Sequence, residues 1–205
     1  MRAVTPPADD AWMEPARAAS AELRVRGSRF VADVAVVRDE AAAHDEVDRR
    51  RRRFHDATHI AYACRLRWRT GLRARSSDAG EPAGTAGRPI LVALEAAGVV
   101  NAVVTVARWF GGTKLGTGGL ARAYGEVAAR ALAAAGAVQR FDVQDLTVEC
   151  GYDAVSSVKR IVAPPEVTVR DEEFGTAVRF VLAVRRSRVA EIVDRLAAVG
   201  ARVTV

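Results

Sequence analysis

Five glycines, Gly111, Gly112, Gly116, Gly118 and Gly119, fall within nine residues of one stretch. Glycine weakens regular structure, so this density serves positive φ or close backbone approach rather than core filling. The stretch opens onto a helical pattern. Its N–H groups and the helix N-terminus therefore suit an anion, with Arg108, Lys114 and Arg122 close by to supply charge. Neither GxxxxGK[ST] nor GxGxxG fits the stretch, which excludes a Walker A loop and a dinucleotide fingerprint. The other reading is a tight strand-to-helix turn with glycines for packing.

A second constellation precedes a helix. Ser76, Ser77, Asp78, Glu81 and Thr85 stand among Gly80, Pro82, Gly84 and Gly87. Asp78 and Glu81 as a pair suit acid–base work, or Mg²⁺ binding with the hydroxyls; equally, they suit capping of the helix and of loop amides. His55 and His59 lie four apart, a metal spacing only if one helix carries both. They straddle the start of a strand and no cysteine cluster completes a set, so no metal site is expected. His59, beside Thr58 and just after Asp56, is placed to bond a phosphate or to orient a loop. Ten arginines against Asp56 alone lie between residues 49 and 75. They form either a phosphate-neutralising patch or a solvated face. Phe110 suits stacking on a base, while Trp68 and Trp109 fit a core.

The elements that must hold these groups follow from periodicity. Residues 1–20, polar and proline-bearing, read as a mobile tail. Two strands over 22–37 meet at Gly27-Ser28, and Asp39 caps a helix over 40–54. Residues 58–69 alternate as a strand, and 70–87 read as one long loop, functional or disordered by default. A helix over 88–98 leads to Val99–Trp109, an apolar run fit for a central strand, and an alanine-rich helix then runs to Ala135. Beyond residue 140 the order is βαββαβ, a ferredoxin-like signature. The expected domains are thus 21–140 and 141–205, both α+β, after a tail over 1–20.

Of the 31 basic residues only Lys114 and Lys159 are lysine, and alanine numbers 41. Such enrichment reflects compositional drift, so the net charge of +6 alone says little about partners. The excess sits in residues 21–140. No apolar run reaches the roughly 18 residues of a spanning helix, and the N-terminus lacks a signal-like apolar region. With Cys64 and Cys150 as the only cysteines there is no disulfide framework, which makes the cytoplasm the expected compartment.

Asp56-Ala57-Thr58-His59, the segment Ser76 to Ile90, and Arg108-Trp109-Phe110-Gly111-Gly112-Thr113-Lys114-Leu115-Gly116 through Gly118-Gly119-Leu120-Ala121-Arg122-Ala123-Tyr124 together resemble the YigZ/IMPACT family, over about residues 22–205. The resemblance implies an N-terminal domain with the fold shared by domain IV of elongation factor G, a small-subunit ribosomal protein and GHMP kinases. It implies a C-terminal domain similar to domain V of that factor. Eukaryotic relatives regulate translation by competing for the ribosome-associated activator of the starvation-responsive initiation-factor kinase; for the bacterial two-domain type, nucleic-acid or ribosome binding is the implied role. Two motifs depart from the family: Ile60-Ala61 replaces Asn-Cys after the histidine, and Ala79 replaces the second aspartate of Ser-Asp-Asp-Gly-Glu-Pro.

The expected function is a non-catalytic binding protein linked to translation regulation, without cofactor or metal. Its partner is RNA, the ribosome or a ribosome-associated protein, with no membrane and no DNA-specific signal. Asp56, Thr58, His59, Ser76, Asp78, Glu81, Thr85, Arg108, Phe110, Gly111, Gly112, Lys114, Gly116, Gly118, Gly119 and Arg122 form its expected surface. The alternative is a phosphate-handling or hydrolytic enzyme that uses the glycine loop with Asp78 and Glu81.

Overall fold

The structure, a computed structural model, describes residues 10–68 and 71–204. They divide into two units: Trp12–Gln139, and the residues through Ala11 joined to those from Arg140 onward. The chain runs β1 (Ala11–Pro15), β2 (Ala19–Val25), β3 (Ser28–Val36), α1 (Glu40–Arg53), β4 (His59–Trp68), β5 (Gly71–Ser77), α2 (Gly87–Ala96), β6 (Ala102–Trp109), α3 (Gly116–Ala135) and β7 (Ala137–Phe141). It continues as β8 (Val143–Cys150), α4 (Val155–Ile161), β9 (Val167–Phe174), β10 (Val178–Arg185), α5 (Val189–Ala198) and β11 (Arg202–Thr204). β1 and β7, which carry the chain between the units, pair in a two-stranded sheet.

In the larger unit five antiparallel strands lie in the order β2-β3-β6-β4-β5. β6 is central and buried on both faces, which is why its sequence is a continuous apolar run rather than an alternation. Phe30, Ala32 and Val34 of β3 and Val104 and Val106 of β6 pack against Leu94 of α2 and Leu120, Tyr124 and Val127 of α3. On the opposite face Val103, Cys64 and Leu66 meet Ala43 and Val47 of α1. Asp39 caps α1 by accepting the Ala42 N–H at 2.7 Å, and Arg50 to Arg53 complement the negative end of its dipole.

In the smaller unit four antiparallel strands follow the order β11-β8-β10-β9. Leu146, Val148, Phe180 and Leu182 meet Val158 of α4 and Ile192 and Leu196 of α5. The other sheet face carries a cross-strand row, Arg202, Glu149, Arg179 and Glu173, in register across all four strands. Arg202 pairs with Glu149, and Arg179 with Glu173 at 2.6 Å. No helix among the described residues is long and apolar enough to cross a membrane.

Two expectations need correction. Residues 10–20 are not a tail: they hold β1 and the start of β2. Glu14 is buried between Arg38 at 2.9 Å, Trp12 and Asn101. Residues 1–9 of that expected tail lie outside the described residues. The long loop over 70–87 is in fact β5 and a shorter loop from Asp78 to Ala86. β5 is an edge strand exposed on both faces, so it has no hydrophobic alternation to betray it.

Candidate functional site

The site is built where β6 ends. Arg108 turns its side chain into the helix-covered side of the sheet, and its Nη1 donates to Glu81 Oε1 at 2.6 Å. Tyr124, two turns into α3, donates its hydroxyl to the same oxygen at 2.8 Å. Arg108 Nη2 reaches Ser28 Oγ at 3.4 Å, and Ser28 in turn accepts the Gly111 N–H at 3.3 Å. All four side chains are buried. Burial, and then the bond to the Glu81 carboxylate, push the Tyr124 phenol far above its ordinary range, so it remains a donor.

Asp78 organises the loop above this network. It accepts N–H groups of Gly84 at 2.8 Å, Ala86 at 2.9 Å and Gly87 at 2.8 Å. Burial alone raises its carboxyl, but these three donors outweigh burial and hold it below the ordinary carboxylate range. Asp78 thus does from a distance what Ala86, at the start of α2, has no side chain to do. Both carboxylates of the expected acid–base pair are engaged by the protein itself.

His59 Nδ1–H donates to the Ala79 carbonyl at 2.9 Å, and Thr58 Oγ1 accepts the Phe110 N–H at 3.0 Å. These bonds fasten the Asp78 loop and the glycine loop to the start of β4. Gly111 lies against the β2–β3 turn so closely that a Cβ there would fall 1.9 Å from the carbonyl carbon of Gly27. Gly116 opens α3 at φ 71, the left-handed region.

These constraints leave a cleft of about 420 Å³. Of the expected residues, Thr58, His59, Glu81, Arg108, Phe110, Lys114 and Gly116 line it; Pro82, Leu115, Thr117 and Leu120 complete it. Gly112 follows at the loop's tip, with φ 86. Phe110 is half exposed at the rim, and Lys114 is exposed. The other expected residues lie elsewhere. Asp56 and Ser76 are exposed away from the cleft, and Thr85 is buried, its hydroxyl donating to the Pro82 carbonyl at 2.7 Å. Gly119 and Arg122 border a second groove of about 260 Å³, and Gly118 lines neither. Tyr124 and Ser28 were missed as site residues. Tyr124 closes the third motif, and its spacing from Leu120 already put it on the buried face of α3. Nothing in the local sequence pointed to Ser28.

Arg108 lines the cleft but is ion-paired with Glu81 rather than free. The Arg49–Arg53 run is also largely paired: Arg49 and Arg50 with Glu46 at 2.5 and 2.8 Å, and Arg51 with Asp48 at 3.0 Å. Arg73 and Arg75 face Glu40, and Arg65 bonds the carbonyls of Leu94 and Val99. Trp68, expected in a core, is exposed and stacked under Arg73 at 4.7 Å. Trp109 is partly buried, edge-on to Phe54 at 5.4 Å. Among the described residues no three His, Cys, Asp or Glu side chains group as a metal set.

The residues around the cleft coincide with a protein family. The Impact N-terminal domain matches residues 26–132, and a domain of unknown function, DUF1949, matches residues 148–200. IMPACT family member YigZ of Escherichia coli is 30% identical over 193 residues, covering 92% of this chain and 93% of that protein. An IMPACT family member of Thermus thermophilus is 39% identical over 164 residues, 77% of this chain and 84% of that protein. The crystal structure of a hypothetical protein superimposes with a TM-score of 0.67 at 28% identity, over 95% of this chain and 97% of that one. With cleft, loops and both matched domains in one order along 205 residues, the chain belongs to the IMPACT family.

Proposed function

We propose that this protein is a cytoplasmic, non-catalytic binding protein of translation regulation that holds RNA, in or near the ribosome, at the Phe110–Lys114 cleft. The observation that carries this reading is the contrast between the cleft's rim and its floor. The rim presents an exposed aromatic ring and a free ammonium group, a combination suited to a base and its phosphate. On the floor Glu81 is held by Arg108 and Tyr124, and Asp78, which does not line the cleft, is held by the loop amides. A hydrolytic reading therefore loses its carboxylates. The family resemblance supports the link to translation. We further propose that the smaller unit is ferredoxin-like, supported by its βαββαβ order and by the strand order β11-β8-β10-β9. For the larger unit the resemblance to domain IV of elongation factor G is the support.

A second reading is favoured by the apolar lining of Pro82, Phe110, Leu115 and Leu120: an apolar side chain of a ribosome-associated protein sits in the cleft. Titration of ribosomal subunits and total RNA across a salt series separates the two. RNA binding falls steeply with salt and weakens in Lys114→Ala and Phe110→Ala; apolar docking survives the salt and responds to Phe110→Ala alone. Absence of RNA and subunit binding at low salt would end the first reading and leave the second, which a pulldown of ribosome-associated proteins with wild type and Phe110→Ala then tests.

A further inference from the structure

In the larger unit carboxylates take up most of the cations. Glu22 holds Arg24 and Arg29, Glu46 holds Arg49 and Arg50, and Glu40 holds Arg73 and Arg75. Among the described residues Arg26 and Lys114 have neither ion pair nor hydrogen bond, and Arg122 bonds only the Gly118 carbonyl of its own helix, at 3.3 Å. Arg52 and Arg88 are also unpaired, but they border no cavity described above. The free charge of this arginine-rich unit is thus concentrated around the start of α3.

Arg26 and Arg122 line the 260 Å³ groove together with Leu115, and Leu115 also forms a wall of the Phe110–Lys114 cleft. Arg26 sits in the β2–β3 turn at φ 44, a left-handed conformation unfavourable for a side chain of its kind. The next residue, Gly27, is the one pressed against Gly111, so the turn that carries Arg26 is fixed to the glycine loop. The groove's one carboxylate, Glu126, is already paired with Arg130 at 2.5 Å.

We propose that the Arg26–Arg122 groove is a second phosphate subsite. A single-stranded RNA crosses Leu115, with a base against Phe110, one phosphate at Lys114 and another between Arg26 and Arg122. This rests on the RNA reading of the cleft and adds to it the path of the strand and a residue, Arg26, that no motif contains.

Fluorescence anisotropy of a labelled oligouridylate of about 12 nucleotides, across a salt series, tests it. Each phosphate contact on a single strand contributes about 0.7 to the slope of log Kobs against log salt. Arg26→Ala and Arg122→Ala are each expected to lower that slope by about 0.7, while Arg26→Lys keeps it. Arg26→Gly separates charge from fold: it relieves the turn and raises the melting temperature, yet loses the same slope as Arg26→Ala. Unchanged slopes in Arg26→Ala and Arg122→Ala, beside a reduced slope in Lys114→Ala, overturn the second subsite and leave the RNA reading of the cleft standing. No binding by the wild-type protein at low salt overturns both.

Discussion

Arg108 is buried, its guanidinium donating to Glu81 and Ser28, while Tyr124 donates to the same Glu81 oxygen. Removing one member of such a pair strands the other, at a cost of about 3–5 kcal/mol. Arg108→Ala should therefore lower stability by that amount in urea unfolding, and Tyr124→Phe by about 1–2 kcal/mol, with no change in the salt dependence of binding. Ala79 sits at φ 50. That conformation costs a residue with a Cβ roughly 1–2 kcal/mol, and glycine's extra freedom returns part of the gain. Ala79→Gly should stabilise the protein by about 0.5–1 kcal/mol, read as a raised urea midpoint. Asp10 contributes to the acid limb. Burial raises its carboxyl, but bonds from Arg185 at 2.7 and 2.8 Å and from the Ser187 N–H outweigh it and hold the pKa at about 2. A carboxyl lowered in the folded state contributes stability above its unfolded pKa and loses it as pH falls through the folded one. Urea midpoints should therefore drop between about pH 4 and pH 2 in the wild type, and more shallowly in Asp10→Asn.

The β2–β3 turn and the glycine loop work as one piece because Gly27 and Gly111 touch through their backbones. A methyl group on Gly111 has no room unless the two loops separate. Gly111→Ala should destabilise by at least about 3 kcal/mol in urea unfolding and abolish RNA binding with it. Elements with a local signature were readable in the sequence: the Asp39 cap of α1, the continuous apolar run of β6, and the βαββαβ order beyond residue 140. β1, β5 and β7 were not, because each is a short strand whose partner lies elsewhere in the chain or whose faces are both wet. The site divides in the same way. The glycine loop, Thr58 and His59 were visible as motifs. The engagement of Arg108 by Glu81 and the arrival of Arg26 beside Arg122 depend on the sheet bringing distant turns together.

Taken as a whole, the net charge of +6 misdirects attention to the Arg49–Arg53 run. There the helix dipole and Asp33, Glu46 and Asp48 account for most of the charge. Arg51→Ala combined with Arg52→Ala should leave RNA affinity within about twofold of wild type in the same anisotropy assay. The alternating row Arg202, Glu149, Arg179 and Glu173 likewise balances its own charge, so the open sheet face of the smaller unit offers little to a polyanion. The smaller unit is also discontinuous in the chain: Asp10, near the start, binds Arg185 and Ser187, near the end. During synthesis Asp10 leaves the ribosome before the larger unit, and its partners Arg185 and Ser187 follow only after that unit. The larger unit can fold in that interval, so the smaller one closes last, and a chain begun at residue 21 would leave Arg185 without its carboxylate.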